Sequence, residues 1–159
     1  MNVRQYAYLR VRSDALTPDV ISERLGLTPD ETVLMGSRHP GPPPRPKVHS
    51  WRMSSGVESH KVSLDDHFEG LLAKLGASAL RMRSLLESGE AAAWITVVRY
   101  FEPGPEDPAI SEADRYLRDL ERVRGQHPLV GFGIETGLIA YAAEAGLEFD
   151  FDEYADEYA

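Results

Sequence analysis

Residues 63–101 constrain the fold more than any other part of this chain, because a well-marked helix leads towards its most apolar strand. Ser63 with Asp65 and Asp66 predicts a helix N-terminus, where a hydroxyl and negative charge satisfy free amides and the helix dipole. Apolar residues then recur at helical spacing at Leu64, Phe68, Leu71, Leu72 and Leu75. A stripe of this kind, about 100° wide, must be covered by a sheet or by other helices.

Residues 91–101 read AAAWITVVRYF, and this β-branched and aromatic run predicts a strand buried on both faces. Residues 78–87 predict a second helix between the two, with Ser78 as its cap and an apolar side made of Leu80, Leu85 and Leu86. We expect residues 92–101 to be the centre of the sheet and the first helix to be its cover.

The rest of the chain alternates between strand and helix patterns. Thr17 and Pro18 predict the start of a short helix that ends at Gly26. Further strands are predicted at 6–12, 31–35, 48–53, 129–134 and 147–152. Further helices are predicted at 110–123 and at 136–145, the latter capped by Thr136. Proline-rich loops are predicted at 40–46 and at 102–108.

These elements predict an α+β domain built as a two-layer sandwich. We expect a five- or six-stranded, mostly antiparallel sheet with helices packed mainly on one face. Residues 6–35 and 129–152 each read as strand, short helix and strand, which is typical of split βαβ, ferredoxin-like halves. With 159 residues, the chain is predicted to be a single domain over 1–159.

The composition and charge of the chain limit the kinds of partner that we expect. The formal net charge is −9, so the chain repels phosphate backbones, and we expect no nucleic-acid partner. Apolar residues make up 42% of the chain, but no run reaches the about 18 residues that a membrane helix needs. With no cysteine and no apolar N-terminal segment, we expect a cytoplasmic protein that contacts no membrane.

Aromatic residues alternate with arginines on one face of the first strand. Ala7, Leu9 and Val11 point one way, so the tyrosines and arginines of residues 6–12 point the other. Such a face could stack nucleic-acid bases. The acidic balance of the chain favours cation–π pairs on a solvated sheet face instead.

His67 is the histidine most suggestive of a site, because it lies at the edge of the apolar stripe beside Asp66. One hypothesis is a ligand pocket between sheet and helices, lined by Trp51, His67, Arg99 and Tyr100. The packing interpretation is that His67 forms a hydrogen bond with the segment carrying Trp51. Catalytic residues are not identifiable, and the consecutive acids and His67 diverge on a helix, so neither metal nor another cofactor is predicted.

The C-terminal segment carries the densest cluster of acidic residues. Leu147, Phe149 and Phe151 alternate with acids and predict a strand anchored to the core by its apolar face. A basic protein partner could then bind the row of Glu148, Asp150 and Asp152 on the other side, together with the adjoining Glu153. The alternative is a solvated edge strand and acidic tail.

Several short motifs together resemble the bacterial domain of unknown function 4279 (DUF4279) family. They comprise residues 8–13, Asp14, 16–18, 25–27, Pro29, Gly36, Trp51, Ser54, Asp66, His67, Leu71, Leu72 and 133–154. The resemblance runs nearly end to end and departs in the long proline loop and in residues 102–128, which look like an insertion. It implies a small α+β domain and no assigned activity.

The favoured hypothesis is therefore a non-enzymatic interaction protein that binds a partner protein through an acidic surface, with toxin neutralisation as one form. A small-molecule-binding domain with a pocket near Trp51 and His67 is the alternative, followed by a hydrolase-type enzyme. No nucleotide-binding or hydrolase motif is present in the sequence. The oligomeric state does not follow from the residues.

Overall fold

The computed structural model describes residues 2–37, 45–56, 61–102 and 133–155. Its strands are β1 (Asn2–Ser13), β2 (Glu31–Val33), β3 (His49–Ser54), β4 (Ala92–Glu102) and β5 (Glu148–Ala155). Its helices are α1 (Pro18–Leu25), α2 (Leu64–Leu75), α3 (Ala79–Glu87) and α4 (Thr136–Ala145). The predicted strand 129–134, helix 110–123, insertion 102–128 and loops 40–46 and 102–108 lie wholly or largely outside the described residues.

The strands form one mixed sheet in the order β2-β3-β1-β4-β5. The first three neighbouring pairs are antiparallel and the β4–β5 pair is parallel, so the predicted α+β class is confirmed. The middle strand is β1 and not β4, because β1 pairs with β3 along one edge and with β4 along the other. The β4 strand is interior as expected, and its residues 95–99 are buried on both faces.

The first half of the chain forms a split βαβ unit. The β3 strand lies between β1 and β2 and is antiparallel to both, so β1 and β2 are parallel to each other with α1 between them in sequence. This is the arrangement predicted for residues 6–35. The corresponding first strand of the second half, 129–134, falls largely outside the described residues.

The core lies between one face of the sheet and the four described helices. Strands β1, β3 and β4 contribute Ala7, Leu9, Val11, Trp51, Met53, Ile95 and Val97. Helix α2 covers them with Leu64, Phe68, Leu71 and Leu75, so the predicted stripe is confirmed. The helices therefore pack on one face of the sheet, and we call this the helix side.

The structure confirms two of the predicted helix caps and contradicts a third. Thr17 caps α1 and Ser63 caps α2 with side-chain hydrogen bonds, as predicted. Ser78 does not cap α3, because its backbone is helical (φ −88°, ψ −2°) and its hydroxyl lies 2.8 Å from the Tyr141 hydroxyl. An N-cap requires an extended backbone.

Two further helix predictions are wrong. Leu80 is 65% exposed, because the buried face of α3 consists of Ala79, Met82 and Leu85 at a spacing of three residues. Thr136 is the first residue of α4 and follows the capping residue Glu135.

Candidate functional site

The sheet face that points away from the helices carries a dense layer of aromatic and charged side chains. Side chains alternate between faces along a strand, so the strand register assigns each one to a face. We call this surface the open face, because no described helix packs on it, although Tyr8, Thr96 and Val98 at its centre are buried by their neighbours in the sheet. Its principal residues are Arg4, Tyr6, Tyr8, Arg10, Arg12, Arg52, Trp94, Thr96, Val98, Tyr100, Glu148, Asp150, Asp152 and Tyr154. None of the described helices packs on it, since they share one core cluster on the other side of the sheet.

Tyr8 lies in the middle of the open face between two arginines. The guanidinium carbon of Arg52 is 4.1 Å from the centroid of the Tyr8 ring, and that of Arg10 is 5.1 Å from it. Arg12 lies 5.4 Å from the ring of Trp94 in the same way. These distances are within the about 6 Å over which a cation is attracted to an aromatic face. The cation–π pairs expected from residues 6–12 are therefore confirmed.

A second aromatic cluster lies at the opposite end of the open face. Arg4 is 4.5 Å from the centroid of Tyr100, and Tyr100 stacks on Tyr154 with ring centroids 5.0 Å apart. Burial, followed by the neighbouring Tyr100, raises the pKa of Tyr6 above its ordinary value. Tyrosine and arginine side chains thus pack against one another along the length of β1.

The acidic row is at the β5 edge of the open face. Glu148 pairs with Trp94, Asp150 with Thr96 and Asp152 with Val98 across the β4–β5 ladder. Glu148 and Asp150 are exposed, and Asp152 is half-buried. The negative charge of Asp152 is the main cause of a raised pKa at Tyr154. A local negative potential therefore surrounds this edge.

The predicted anchoring of β5 is only partly correct. Leu147 is buried just before the strand and Phe149 is half-buried against the core, but Phe151 is 44% exposed. The reason is that β5 is the last strand of the described sheet, so Phe151 lies at the margin of the helix side. There it stacks on Phe149 with ring centroids 6.2 Å apart.

Glu153 does not belong to the acidic row. It lies on the helix side opposite Arg99, and its Oε1 accepts a hydrogen bond of 2.8 Å from Arg99 Nη1. Arg99 is 4% exposed, and its guanidinium also lies 4.9 Å from the ring of Phe101. Because a buried cation is costly unless it is paired, we assign the Arg99–Glu153 pair to holding β5 on β4.

His67 is a buried, neutral histidine that joins α2 to the sheet. Its Nδ1 lies 2.8 Å from Ser55 Oγ, and the same hydroxyl accepts a hydrogen bond of 3.1 Å from the Ala7 amide. Burial lowers the pKa of His67, while the charge of Asp66 and the Gln5 backbone act in the opposite direction. Ser55 directly follows β3, so this is the hydrogen bond that the packing interpretation predicts.

The Ser55–His67 pair lacks the parts of a nucleophilic site. Ser55 is already an acceptor for the backbone, and Asp66 directs its carboxylate to the amide and hydroxyl of Ser63. The Nε2 atom of His67 is buried and has no hydrogen-bond partner among the residues that the structure describes. A serine nucleophile requires a base that a third group orients, and the described residues place none here.

The predicted ligand-binding residues do not form one pocket. Trp51 pairs with Val11 and Arg99 with Gln5, so they are six residues apart along β1, or about 20 Å. Trp51 is fully buried and donates its indole hydrogen to Ser22 Oγ at 3.0 Å. Tyr100 points to the open face, away from the other three. The structure therefore does not bring these four residues together.

The described ranges contain neither a cluster of potential metal ligands nor a helix that could span a membrane. Residues 2–37, 45–56, 61–102 and 133–155 contain no group of three or more histidine, aspartate or glutamate side chains that could hold a metal ion. Among the helices that these ranges describe, none is long and apolar enough to span a membrane.

Fold and site together define an α+β domain whose described helices lie on one side of the sheet, with an aromatic, charged face on the other. The chain belongs to the DUF4279 family, because the family model described as "Domain of unknown function (DUF4279)" matches residues 2–156. This confirms the resemblance found in the sequence. Comparisons with curated proteins and with solved structures find no match.

Proposed function

We propose that this domain is a non-enzymatic protein-binding domain whose partner docks on the open face. The observation that carries the proposal is the arrangement of ordered arginines and carboxylates on a sheet face over which no described helix packs. The partner is basic where it meets the acidic row of β5 and acidic where it meets the arginines of β1 and β3.

The composition of the open face favours protein recognition. Tyrosine, tryptophan and arginine are the residues that contribute most to binding energy at the centres of protein interfaces. Arg10 and Arg52 are held against Tyr8 by their guanidinium groups, so they lose less side-chain entropy when they pair with a partner. The face is thus prearranged for contact.

The open face carries an acid on either side of its arginines. Glu31, Arg52, Arg10, Trp94 and Glu148 lie in one line across the five strands, and Glu31 Oε2 accepts a hydrogen bond of 3.2 Å from Arg52 Nη1. Neighbouring strands are about 4.8 Å apart, so Arg10 and Glu148 are separated by about 10 Å. A partner with opposite charges at this separation can therefore pair with Arg10 and Glu148 at the same time.

Neutralisation of a basic toxin is one specific form of this function, with the acidic row covering basic residues of the toxin. The row supports such a role through its rigidity, because alternate residues on a strand hold charges at a fixed spacing of about 6.8 Å. Charges fixed in this way also accelerate association with a basic surface.

Capture of the partner from the native host tests the proposal. Tagged wild-type protein is compared with the variant Glu148→Lys with Asp150→Lys, in which two exposed acids of the row are reversed. The matched control is Glu23→Lys with Glu69→Lys, which makes the same charge change at exposed positions on α1 and α2. We expect the partner to be captured by the wild type and the control and lost from the β5 variant. Equal capture by all three proteins contradicts the proposal.

A further inference from the structure

A cavity between α1 and α3 forms a second candidate site. Its volume is about 180 Å³, and it is lined by Arg24, Arg81, Ser84 and Leu85. Leu85 is buried and contributes an apolar surface, whereas Arg24, Arg81 and Ser84 are exposed and contribute N–H and O–H donors, so the cavity is open to solvent. A cavity that is lined by hydrogen-bond donors and by no carboxylate suits an anion.

Arg81 contributes a positively charged guanidinium group to the cavity. Within the described part of the chain it forms no ion pair and no hydrogen bond. Its guanidinium rests against Gly26, where an added Cβ atom would lie 2.6 Å from Arg81 Nη1. The C-terminal end of α1 attracts a cation through the helix dipole, which explains the position of Arg81 but uses none of its N–H groups.

Arg24 and Ser84 add donors from two sides. Arg24 Nη1 lies 2.7 Å from Glu90 Oε2, which occupies one of the five N–H donors of the guanidinium and balances one of the two positive charges. Ser84 is three residues after Arg81 on α3, so both side chains lie on the same side of this helix. The cavity therefore retains one net positive charge and three separate donor groups.

We propose that this cavity binds a small tetrahedral oxyanion of the phosphate type. Guanidinium groups match the oxygen spacing of phosphate and form charge-assisted hydrogen bonds with it. Three donor groups on two helices surround the cavity, and four oxygens in a tetrahedron reach all three, whereas the two oxygens of a planar carboxylate reach fewer. The cavity is on the helix side, so its ligand does not compete with a partner on the open face.

The test is an NMR titration of the labelled wild-type protein with inorganic phosphate, with sodium chloride at the same ionic strength as the reference. We expect saturable shifts in the amides around Arg24, Gly26 and Ser84, with acetate binding more weakly than phosphate. Arg81→Gln should weaken phosphate binding about tenfold, because it removes a charge-assisted hydrogen bond. Arg83→Gln is the matched control, because it removes one charge from the same helix, where Arg83 instead donates to the Ala143 carbonyl.

Several results overturn the proposal. Chemical-shift changes that do not saturate with phosphate, or that sodium chloride reproduces, show that Arg81 only interacts with the C-terminal end of α1. Equal phosphate affinity in the wild type and Arg81→Gln, or equal affinity for acetate and phosphate, also contradicts it. If circular dichroism shows that Arg81→Gln is unfolded, Ser84→Ala takes its place, and unchanged phosphate affinity in that variant rejects the site.

Discussion

Leu71→Ala measures whether α2 covers the sheet as described. Leu71 is fully buried in the core cluster, on the stripe that faces β1. The substitution removes apolar groups equivalent to about three methylenes, at about 0.8 kcal/mol each, or about 2.4 kcal/mol in total. Incomplete collapse of the core around the lost volume raises the total to about 3–4 kcal/mol. For a domain of this size the melting temperature should fall by about 10 °C.

The assay is urea unfolding followed by circular dichroism, with Leu80→Ala as the control. Leu80 is 65% exposed on the neighbouring helix α3, so the same chemical change there should alter the free energy of unfolding by no more than about 0.5 kcal/mol. A loss below about 1 kcal/mol for Leu71→Ala, or equal losses in the two variants, refutes the packing of α2 on the sheet.

Two further predictions concern His67 and Gly26. Burial lowers the pKa of His67, so the stability of the neutral ring is fully present above about pH 6.5 and is lost as the pH falls through the folded-state pKa. His67→Gln should therefore show a shallower loss of unfolding free energy between about pH 7 and pH 5 than the wild type or His49→Gln, and equal slopes contradict this. Gly26→Ala should cost about 1–2 kcal/mol in urea unfolding, because Gly26 has a φ of 65° and a Cβ atom is strained in the left-handed region. Gly36→Ala, at a φ of 74°, should cost about the same, because the Arg81 guanidinium beside Gly26 is the end of a flexible side chain and can move away from an added Cβ atom; a clearly larger cost at Gly26 contradicts this.

Local chemistry made much of the fold predictable. The caps at Thr17 and Ser63 and the left-handed turn at Gly26 depend on residues within one or two turns of each other, so spacing alone reveals them. Ser78 shows the limit of this reasoning. It has the residue type of a cap, but a tertiary partner, Tyr141, 63 positions away in sequence, takes its hydroxyl.

The candidate site was predictable in parts and not as a whole. The alternation of apolar and polar residues along each strand predicted that the arginines of β1 and the acids of β5 point outwards. The position of Arg52 over Tyr8 depends on the register between β1 and β3, which the residues do not reveal. The pairing of Glu153 with Arg99 likewise depends on the parallel β4–β5 register, as a sequence pattern cannot show which charges meet across strands.

Association kinetics test the central claim, docking on the open face, most directly. With the captured partner, the association rate constant is measured by stopped flow over a range of salt concentrations. For Glu148→Lys with Asp150→Lys, we predict a rate about tenfold or more below that of the wild type at low salt, with a weaker dependence on salt. Glu23→Lys with Glu69→Lys should leave both the association rate and its dependence on salt nearly unchanged. If the two double variants associate at the same rate at low salt, the acidic row takes no part in docking and the account is contradicted.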